Sequence, residues 1–168
     1  MFDSKREQLI KLAEVIESHS GWWRFPDEEA VQGFLGTDPI FIVGIRPSTS
    51  EWGPSHPHRR FFYDFLAKIG AANAHLTDIY KRRGHSNDVE VESEKDFNDH
   101  LLLFRKEIEI LRPTRIISMG VESRNRLRWH MPELESIVKE EWHYMYAIRS
   151  GRRSEYELKM RAAIEGCN

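Results

Sequence analysis

The sequence predicts a three-layer α/β/α sandwich around a central sheet of four parallel strands, formed by a single domain spanning residues 1–168. Short apolar runs of strand length alternate with longer amphipathic segments of helix length. The run at 40–44 is apolar and partly β-branched, as in a strand that is buried on both faces. No repeat, low-complexity tract or linker divides the chain. Strands joined through helices imply right-handed parallel crossovers.

The N-terminal region contains a helix and an aromatic loop ahead of the first strand. Ser4 and Glu7 form a capping-box pattern, which predicts an amphipathic helix from Lys5 to His19. The aromatic segment Gly21–Pro26 is interpreted as a loop folded over the edge of the core, with an aromatic platform for bases as the alternative. A second short helix is expected from Asp27 to Leu35, because its start is acidic.

The first strand, Ile40–Gly44, ends abruptly, and the segment from Thr49 to Arg60 has no periodicity and is predicted to be a loop. The remaining helices and strands alternate. The predicted helices are Arg60–Ile69, Ser93–Leu111, Val121–Trp129 and Ser154–Ile164, and the predicted strands are Ala74–Ile79, Arg115–Met119 and Trp142–Ile148. Gly84–Glu92 is polar and is expected to be a mobile loop.

Composition and motif searches exclude several classes of function. With 25 Lys and Arg against 27 Asp and Glu, the net charge of −2 gives no global basic signal. Cys167 is the only cysteine, so a disulfide framework is excluded. His56 and His58 lack a matching ligand pair, and neither a metal nor a cofactor is expected. Dinucleotide, P-loop and serine-hydrolase fingerprints are absent. We expect a soluble cytoplasmic monomer without a membrane partner.

Basic residues collect in the loops at the carboxyl ends of the predicted strands, where open α/β sheets bind ligands. These loops are 46–60, 80–84, 120–123 and 149–153, and three of the four carry clustered Arg or Lys. This distribution suits a phosphate backbone, although each cation alone is more simply a solvated loop residue. The candidate nucleic-acid-binding residues are Lys81, Arg82, Arg149, Gly151, Arg152 and Arg153.

Four motifs in order resemble the uracil-DNA glycosylase superfamily, and the likeness runs from Ile40 to Arg153. The first is the turn Gly44-Ile45-Arg46-Pro47-Ser48 after the first strand. The others are Arg59-Arg60-Phe61-Phe62 followed by Gly70, the segment Leu76–Gly84, and the segment from Leu111-Arg112-Pro113 to Gly120. The resemblance implies the same four-stranded fold, and a base flipped out of DNA into a pocket at the strand ends.

The resemblance also implies site residues and a function. The catalytic candidates are Arg46, Ser48 and Asp78, and the base-pocket candidates are Gly44, Ile45, Phe61, Phe62 and Ser150. The implied function is a DNA glycosylase-like protein that binds DNA and recognises or excises a flipped, damaged or modified base other than plain uracil. The implied chemistry needs no metal, and the cysteines that hold an iron-sulfur cluster in some members are absent here.

Three departures from the family pattern qualify this function. Arg46 stands where relatives carry Asp, Asn or Glu, and a permanent cation cannot act as a base. Asp78 replaces a base-reading Asn, and an ionised Asp only accepts hydrogen bonds, which disfavours plain uracil and favours a base with amino donors. Arg149-Ser150 aligns with the family's His-Pro-Ser motif, so the catalytic histidine is expected to be missing. A catalytically inactive member that binds nucleic acid or a nucleotide, and an unrelated α/β protein, remain alternatives.

Overall fold

A computed structural model describes residues 4–85 and 94–166 of the chain. Its centre is an all-parallel sheet of four strands in the order β2-β1-β3-β4. The strands are β1 Ile40–Gly44, β2 His75–Asp78, β3 Arg115–Met119 and β4 Val138–Glu141. Three of these strands lie where the sequence predicts them. The α/β class and the four-stranded parallel sheet are therefore confirmed.

Six α-helices connect and cover the strands in the described part of the chain. They are α1 Lys5–Glu17, α2 Pro57–Lys68, α3 Glu94–Leu111, α4 Val121–His130, α5 Tyr144–Arg149 and α6 Arg153–Glu165, with 3₁₀ turns at Gly33–Leu35 and Pro132–Ile137. The predicted capping box of α1 forms between Ser4 and Glu7. The predicted start of α3 at Ser93 and most of the polar segment 84–92 lie outside the described residues. No helix within 4–85 and 94–166 combines the length and apolarity needed to cross a membrane.

The alternation of side chains along β1 divides the core into two layers. Phe41 and Val43 point to one face of the sheet and pack with apolar residues of α1, α3 and α4. Ile42 points to the other face, among apolar residues of α2, α5 and α6. Because successive strand residues face opposite sides, a strand buried on both faces has no polar position. Helices therefore cover both faces of the sheet, as in a three-layer sandwich.

The predicted helix from Asp27 to Leu35 is wrong. Only the single 3₁₀ turn Gly33–Leu35 forms in this segment, and Gly33 has a positive φ of 56°. A Cβ atom at Gly33 would lie 2.2 Å from the carbonyl oxygen of Pro26, so the chain folds tightly back on itself here. Glu28 instead binds Arg59 and Arg60 on α2. Tertiary ion pairing therefore outweighs the local helix signal.

The predicted fourth strand, Trp142–Ile148, is also wrong. The fourth strand is β4, which ends at Glu141, and the next residues form α5 with His143 as its N-cap. An apolar run this short is compatible with either a strand or a buried helix. The actual strand, with the sequence VKEE, lies at the edge of the sheet and is only partly buried. Its polar residues hide the period that would have identified it.

Candidate functional site

A cavity of about 430 Å³ opens at the carboxyl edge of the sheet. This volume lies within the usual range for small-molecule sites, and the edge is where ligands bind in open α/β sheets. Its walls come from the loops after β1, β2 and β4, together with the aromatic loop that precedes β1. The lining residues are Trp23, Phe25, Arg46, Pro47, Ser48, Ser50, Trp52, His56, His58, Asp78, Arg83, Met119, His143, Tyr144, Met145 and Arg149.

Arg46 joins the loop after β1 to the loop after β2. Its Nε and Nη2 atoms donate to the carbonyl oxygen of Arg82 at 3.2 and 3.1 Å, and the side chain is only 9% exposed. The guanidinium lies against Gly84, where a Cβ atom would come within 2.7 Å of it. The backbone N–H of Gly84 donates to the carbonyl oxygen of Pro47 at 3.0 Å. Arg46 therefore lines the cavity and also holds its two nearest loops together.

Arg83 fixes the serine-rich turn that includes Ser48. Its Nη1 atom donates to the carbonyl oxygens of Ser48 and Ser50, each at 2.9 Å. The guanidinium also lies over the ring of Trp23, 5.2 Å from its centroid, which is a cation–π contact. The hydroxyl groups of Ser48 and Ser50 are 2.9 Å apart at the mouth of the cavity. The predicted site residue Ser48 is thus held beside Arg46.

Asp78 ends β2 and places its carboxyl group in the cavity. It is 5% exposed and lies beside Gly44 of β1, where a Cβ atom would come within 2.2 Å of Asp78 Oδ1. Gly44 therefore makes room for this carboxyl group. Burial raises the pKa of Asp78 to about 7, and the cations of Lys81, Arg46 and Arg83 only partly oppose that effect. Both the charged and the neutral form are present near neutral pH.

Lys81 is buried rather than exposed on the surface where DNA could contact it, so its predicted role in phosphate binding is wrong. Its side chain is 1% exposed, and Nζ lies 2.7 Å from Oε1 of Glu107 on α3. Nζ also donates to Thr77 Oγ1 at 2.7 Å and to the backbone oxygen of Asp78. His75 Nε2 and Thr77 Oγ1 bind the second oxygen of Glu107 at 3.2 and 2.7 Å. These residues form a closed polar network behind β2.

His143 is a cavity residue that the sequence reasoning missed. It directly follows Trp142 after β4 and caps α5, with its Nδ1 atom accepting a hydrogen bond from the backbone N–H of Met145 at 3.2 Å. Burial and the nearby charge of Arg149 lower the pKa of His143 to about 4. The ring is therefore neutral at pH 7, and because Nδ1 accepts, the proton sits on Nε2. His143, which lines the cavity, thus carries a neutral N–H donor.

Aromatic rings form the wall of the cavity beside Asp78. Trp23, Phe25 and Trp52 pack edge to face, with ring centroids 5.0 to 5.6 Å apart. Tyr144 completes the wall, and its ring lies 6.2 Å from that of Trp52. Flat apolar faces of this kind stack on planar ligands. The Gly21–Pro26 segment is therefore a loop, as expected, and it also supplies two rings to the cavity.

The two predicted pocket phenylalanines lie elsewhere. Phe62 is fully buried in the core, where it stacks on Tyr144 with centroids 4.6 Å apart, so it supports the wall from behind. Phe61 lines a separate groove between α2 and α6 and lies under the guanidinium of Arg153 at 5.1 Å. In a helix, adjacent residues point about 100° apart, and neither faces the strand ends here.

Several other predicted residues lie outside the cavity lining. Ile45 packs against the core on the α1 face. Ser150 donates to the carbonyl oxygen of Tyr146 at 2.7 Å, and Gly151, with a φ of 70°, lies between α5 and α6. Arg82 pairs with Asp96 at 3.0 Å on the surface. The misplaced fourth strand explains the Ser150 and Gly151 assignments, because α5 separates them from the sheet.

Positive charge at one side of the cavity mouth comes from an exposed arginine. Arg149 is exposed and lines the cavity together with His56 and His58. Burial, together with the charges of His56 and Arg149, lowers the pKa of His58. At Trp142, the residue before His143, Arg152 and Lys159 lie over the ring at 5.9 and 5.1 Å. This surface combines positive charge with an aromatic face.

Within residues 4–85 and 94–166, no three His, Cys, Asp or Glu side chains are grouped in a way that could hold a metal ion. His56 and His58 do lie close together, with ring centroids 4.9 Å apart. His56 is engaged as the cap of α2, because its Nδ1 atom accepts from the backbone N–H of His58.

Compared with known proteins, the chain matches no family model and no curated protein.

Proposed function

We propose that this protein is a DNA glycosylase-like protein that binds DNA and takes a single flipped base into the cavity at the carboxyl edge of the sheet. The observation that carries the proposal is that Asp78 and the neutral His143 line one cavity whose wall is aromatic. A carboxyl group reads a base edge, an N–H donor binds a base oxygen or nitrogen, and aromatic rings stack on its face. The motif order that resembles the uracil-DNA glycosylase superfamily supports the same function.

Asp78 gives the cavity a base preference that depends on pH. Above its pKa of about 7, the ionised carboxylate accepts from the exocyclic amino group of a cytosine, adenine or guanine derivative. Below that pH, the neutral acid both donates and accepts, which also matches the edge of uracil. We therefore propose that an amino-bearing base is preferred in mildly alkaline solution, and that the preference for it narrows as the pH falls.

His143 supplies a histidine donor for the departing base, the group expected to be missing when Arg149-Ser150 is aligned with the family's His-Pro-Ser motif. Cleavage of an N-glycosidic bond leaves negative charge on the departing base and positive charge on the sugar. A neutral imidazole that donates from Nε2 stabilises the departing base without placing a cation beside the sugar. Since β4 ends at Glu141, His143 occupies the loop after the fourth strand. This is the position at which the resembled family carries its His-Pro-Ser motif.

The second candidate function is a protein that binds a base without excising it. Asp78 is the only carboxylate among the described residues that line the cavity, and Arg46, a permanent cation, replaces the acidic or amide residue of the resembled family. The guanidinium of Arg46 is engaged with the backbone of the next loop rather than positioned to activate water. This observation favours binding without catalysis, and the two candidates make different predictions.

Alkali-labile sites in duplex DNA test the proposal. The substrates contain uracil, mismatched, deaminated or alkylated bases, and the protein is in excess over DNA. We expect cleavage at an amino-bearing damaged base at pH 8, which is lost in His143→Asn. That variant is informative because Asn is a good N-cap, so the helix start is preserved while the Nε2 donor is removed. Asp64→Asn, on the exposed surface of α2, serves as the control.

The outcomes separate the two functions. Cleavage by the wild type and by Asp64→Asn, with none by His143→Asn, supports excision. Absence of product with every substrate removes excision and leaves the binding protein. In that case DNA affinity must still fall steeply as salt rises, since phosphate contacts release counterions. No DNA binding at low salt would contradict both candidates.

A further inference from the structure

The network behind β2 contains a buried ion pair that the proposed function does not use. Lys81 and Glu107 are 1% and 0% exposed, and their charged atoms are 2.7 Å apart. Both oxygens of Glu107 are engaged, one by Lys81 and the other by His75 and Thr77. Replacing a buried pair by apolar residues is often neutral or stabilising. Its presence here therefore calls for an explanation other than stability.

The pair is attached directly to the residue that carries the cavity carboxyl group. Lys81 Nζ donates to the backbone oxygen of Asp78 and to the hydroxyl of Thr77, the two residues that end β2. Asp78 forms the boundary between this network and the cavity. No hydrogen bond from another described residue reaches its carboxyl oxygens. The nearby charges therefore act on Asp78 without a bonded partner of its own to dominate them.

We propose that the buried Lys81–Glu107 pair sets the charge of the Asp78 carboxyl group and so determines which base edge the cavity accepts. The inference deepens the proposed function and rests on it for the identity of the ligand. Other groups that act on Asp78 are Arg46 after β1 and Arg83 after β2, and the phenol of Tyr144 on α5 also interacts with Asp78. These groups also line the cavity, whereas the pair lies outside its lining.

Opposite charges in the pair act in opposite directions on Asp78. Lys81 favours the ionised carboxylate and Glu107 disfavours it, with Lys81 the stronger of the two. Glu107 therefore limits the effect of Lys81, and the carboxyl group is left able to change charge near neutral pH. Removing Glu107 alone leaves the cation unopposed. Removing both charges leaves burial as the largest influence.

Carbon-13 NMR titration of aspartate-labelled protein tests the inference in the free protein, with Asp78→Asn used to assign the signal. We expect the Asp78 midpoint to fall by about one pH unit or more in Glu107→Gln, because the nearby cation is no longer opposed. Lys81→Met/Glu107→Gln is expected to raise the midpoint above that of the wild type. Glu109→Gln, the same change at an exposed position of α3, is expected to leave the midpoint unchanged.

The two variants keep the test decisive if Glu107→Gln does not fold. The double variant leaves neither position of the pair with an uncompensated buried charge, and its Gln retains partners in His75 and Thr77, so it is expected to fold. Opposite movements of the midpoint, or the rise in the double variant alone, support the inference. An unchanged midpoint in every folded variant overturns it. Midpoints that move as expected, in a protein that binds no DNA, support this tuning and contradict the proposed function.

Discussion

Glu107 and Asp78 are both carboxyl groups buried near the end of β2, yet the structure gives them opposite properties. Burial by itself would raise the pKa of each. For Glu107, the ammonium group of Lys81 and the hydrogen bond from His75 outweigh burial, and the pKa is lowered. For Asp78, burial prevails and the pKa rises to about 7. Bonded partners, rather than depth, decide which carboxyl group stays ionised.

The difference separates a structural region from the candidate functional site. The charged side chains on the α3 face of β2 are paired and closed to solvent, as expected of groups whose charge must not change. On the cavity face, Asp78 accepts no hydrogen bond from another described residue and lies beside a space of about 430 Å³, where a ligand can supply a partner. Unpaired, strongly perturbed groups in a cleft are typical of functional sites. Substitutions in the two regions are therefore expected to have different effects.

Breaking the paired region should cost the most stability. Lys81→Met leaves Glu107 buried without its cation, and we expect the free energy of unfolding to fall by roughly 3–5 kcal/mol in urea titrations. Lys81→Met/Glu107→Gln should recover most of that loss. The exposed pair Lys95–Asp99 on the same helix is the control, and Lys95→Met should change stability little. A small loss for Lys81→Met would mean that the network is not tightly paired.

Removing the charge of Asp78 should change the stability in the opposite direction. A folded-state pKa of about 7 for Asp78, against 3.8 ordinarily, means that the folded protein binds this proton more tightly than the unfolded chain. Its stabilising contribution is full below pH 4 and is lost as the pH rises through 7. Asp78→Asn should therefore be more stable than the wild type by roughly 2–4 kcal/mol at pH 8, and similar to it at pH 4. A gain that does not depend on pH would contradict the raised pKa.

The packing of Arg46 against Gly84, which holds two loops together, should be sensitive to a single added methyl group. Gly84→Ala places a Cβ atom 2.7 Å from the guanidinium, and we expect a loss of roughly 1–3 kcal/mol in thermal or urea unfolding. Gly53→Ala is a matched control, because nothing lies within 4 Å of its Cβ position. Equal stability of the two variants would show that Arg46 can move without cost.

His143 should separate stability from function. His143→Ala removes the cap of α5 and should cost about 1 kcal/mol, whereas His143→Asn retains a side-chain acceptor and should cost little. Both variants remove the Nε2 donor, so both should lose the same fraction of any base-excision activity. Urea unfolding and the alkali-labile-site assay provide the two measurements. Retained activity in His143→Asn would exclude a role for the imidazole.

Arg149, at the mouth of the cavity, is expected to make the smallest contribution, and that contribution is to DNA binding. Arg149→Ala should weaken DNA binding similarly for all sequences and reduce the slope of log affinity against log salt by about 1. Arg128→Ala is the control and should leave the slope unchanged, because Arg128 on α4 pairs with Glu135 in the following 3₁₀ turn. Fluorescence anisotropy over a range of salt concentrations measures both. Equal slopes would place the phosphate backbone elsewhere.

Most of the sheet and its helices could be predicted from the sequence, because buried strands such as Ile40–Gly44 carry their own apolar pattern. The edge strand β4 could not, since the polar residues of VKEE look like a loop. Because of that one error, the last loop of the site was predicted at Arg149 and Ser150 instead of at His143. Placing the strand one segment earlier would have identified the histidine.

The candidate site was predicted in part, and the reasons differ residue by residue. Arg46, Ser48, Asp78 and Arg149 line the cavity because they lie at or just after strand ends, or at the end of the helix that follows one, which the chain order indicates. Lys81 follows the same strand end but turns inward, because Glu107 lies opposite it. No local sequence pattern predicts that Lys81 pairs with Glu107, which lies 26 positions away in the chain. Trp23 and Phe25 reach the cavity only through the folding of a loop, which the sequence does not specify.

Fluorescence of a single 2-aminopurine in duplex DNA tests the central claim most directly, because this base becomes brighter when it leaves the stack. Placed at a mismatch at pH 8, it offers an amino group to the ionised Asp78 and an aromatic face to Trp23 and Trp52. The account predicts a rise in fluorescence when the wild-type protein binds, and the loss of that rise in Asp78→Ala while the DNA remains bound. DNA binding by the wild type with no change in fluorescence would contradict it.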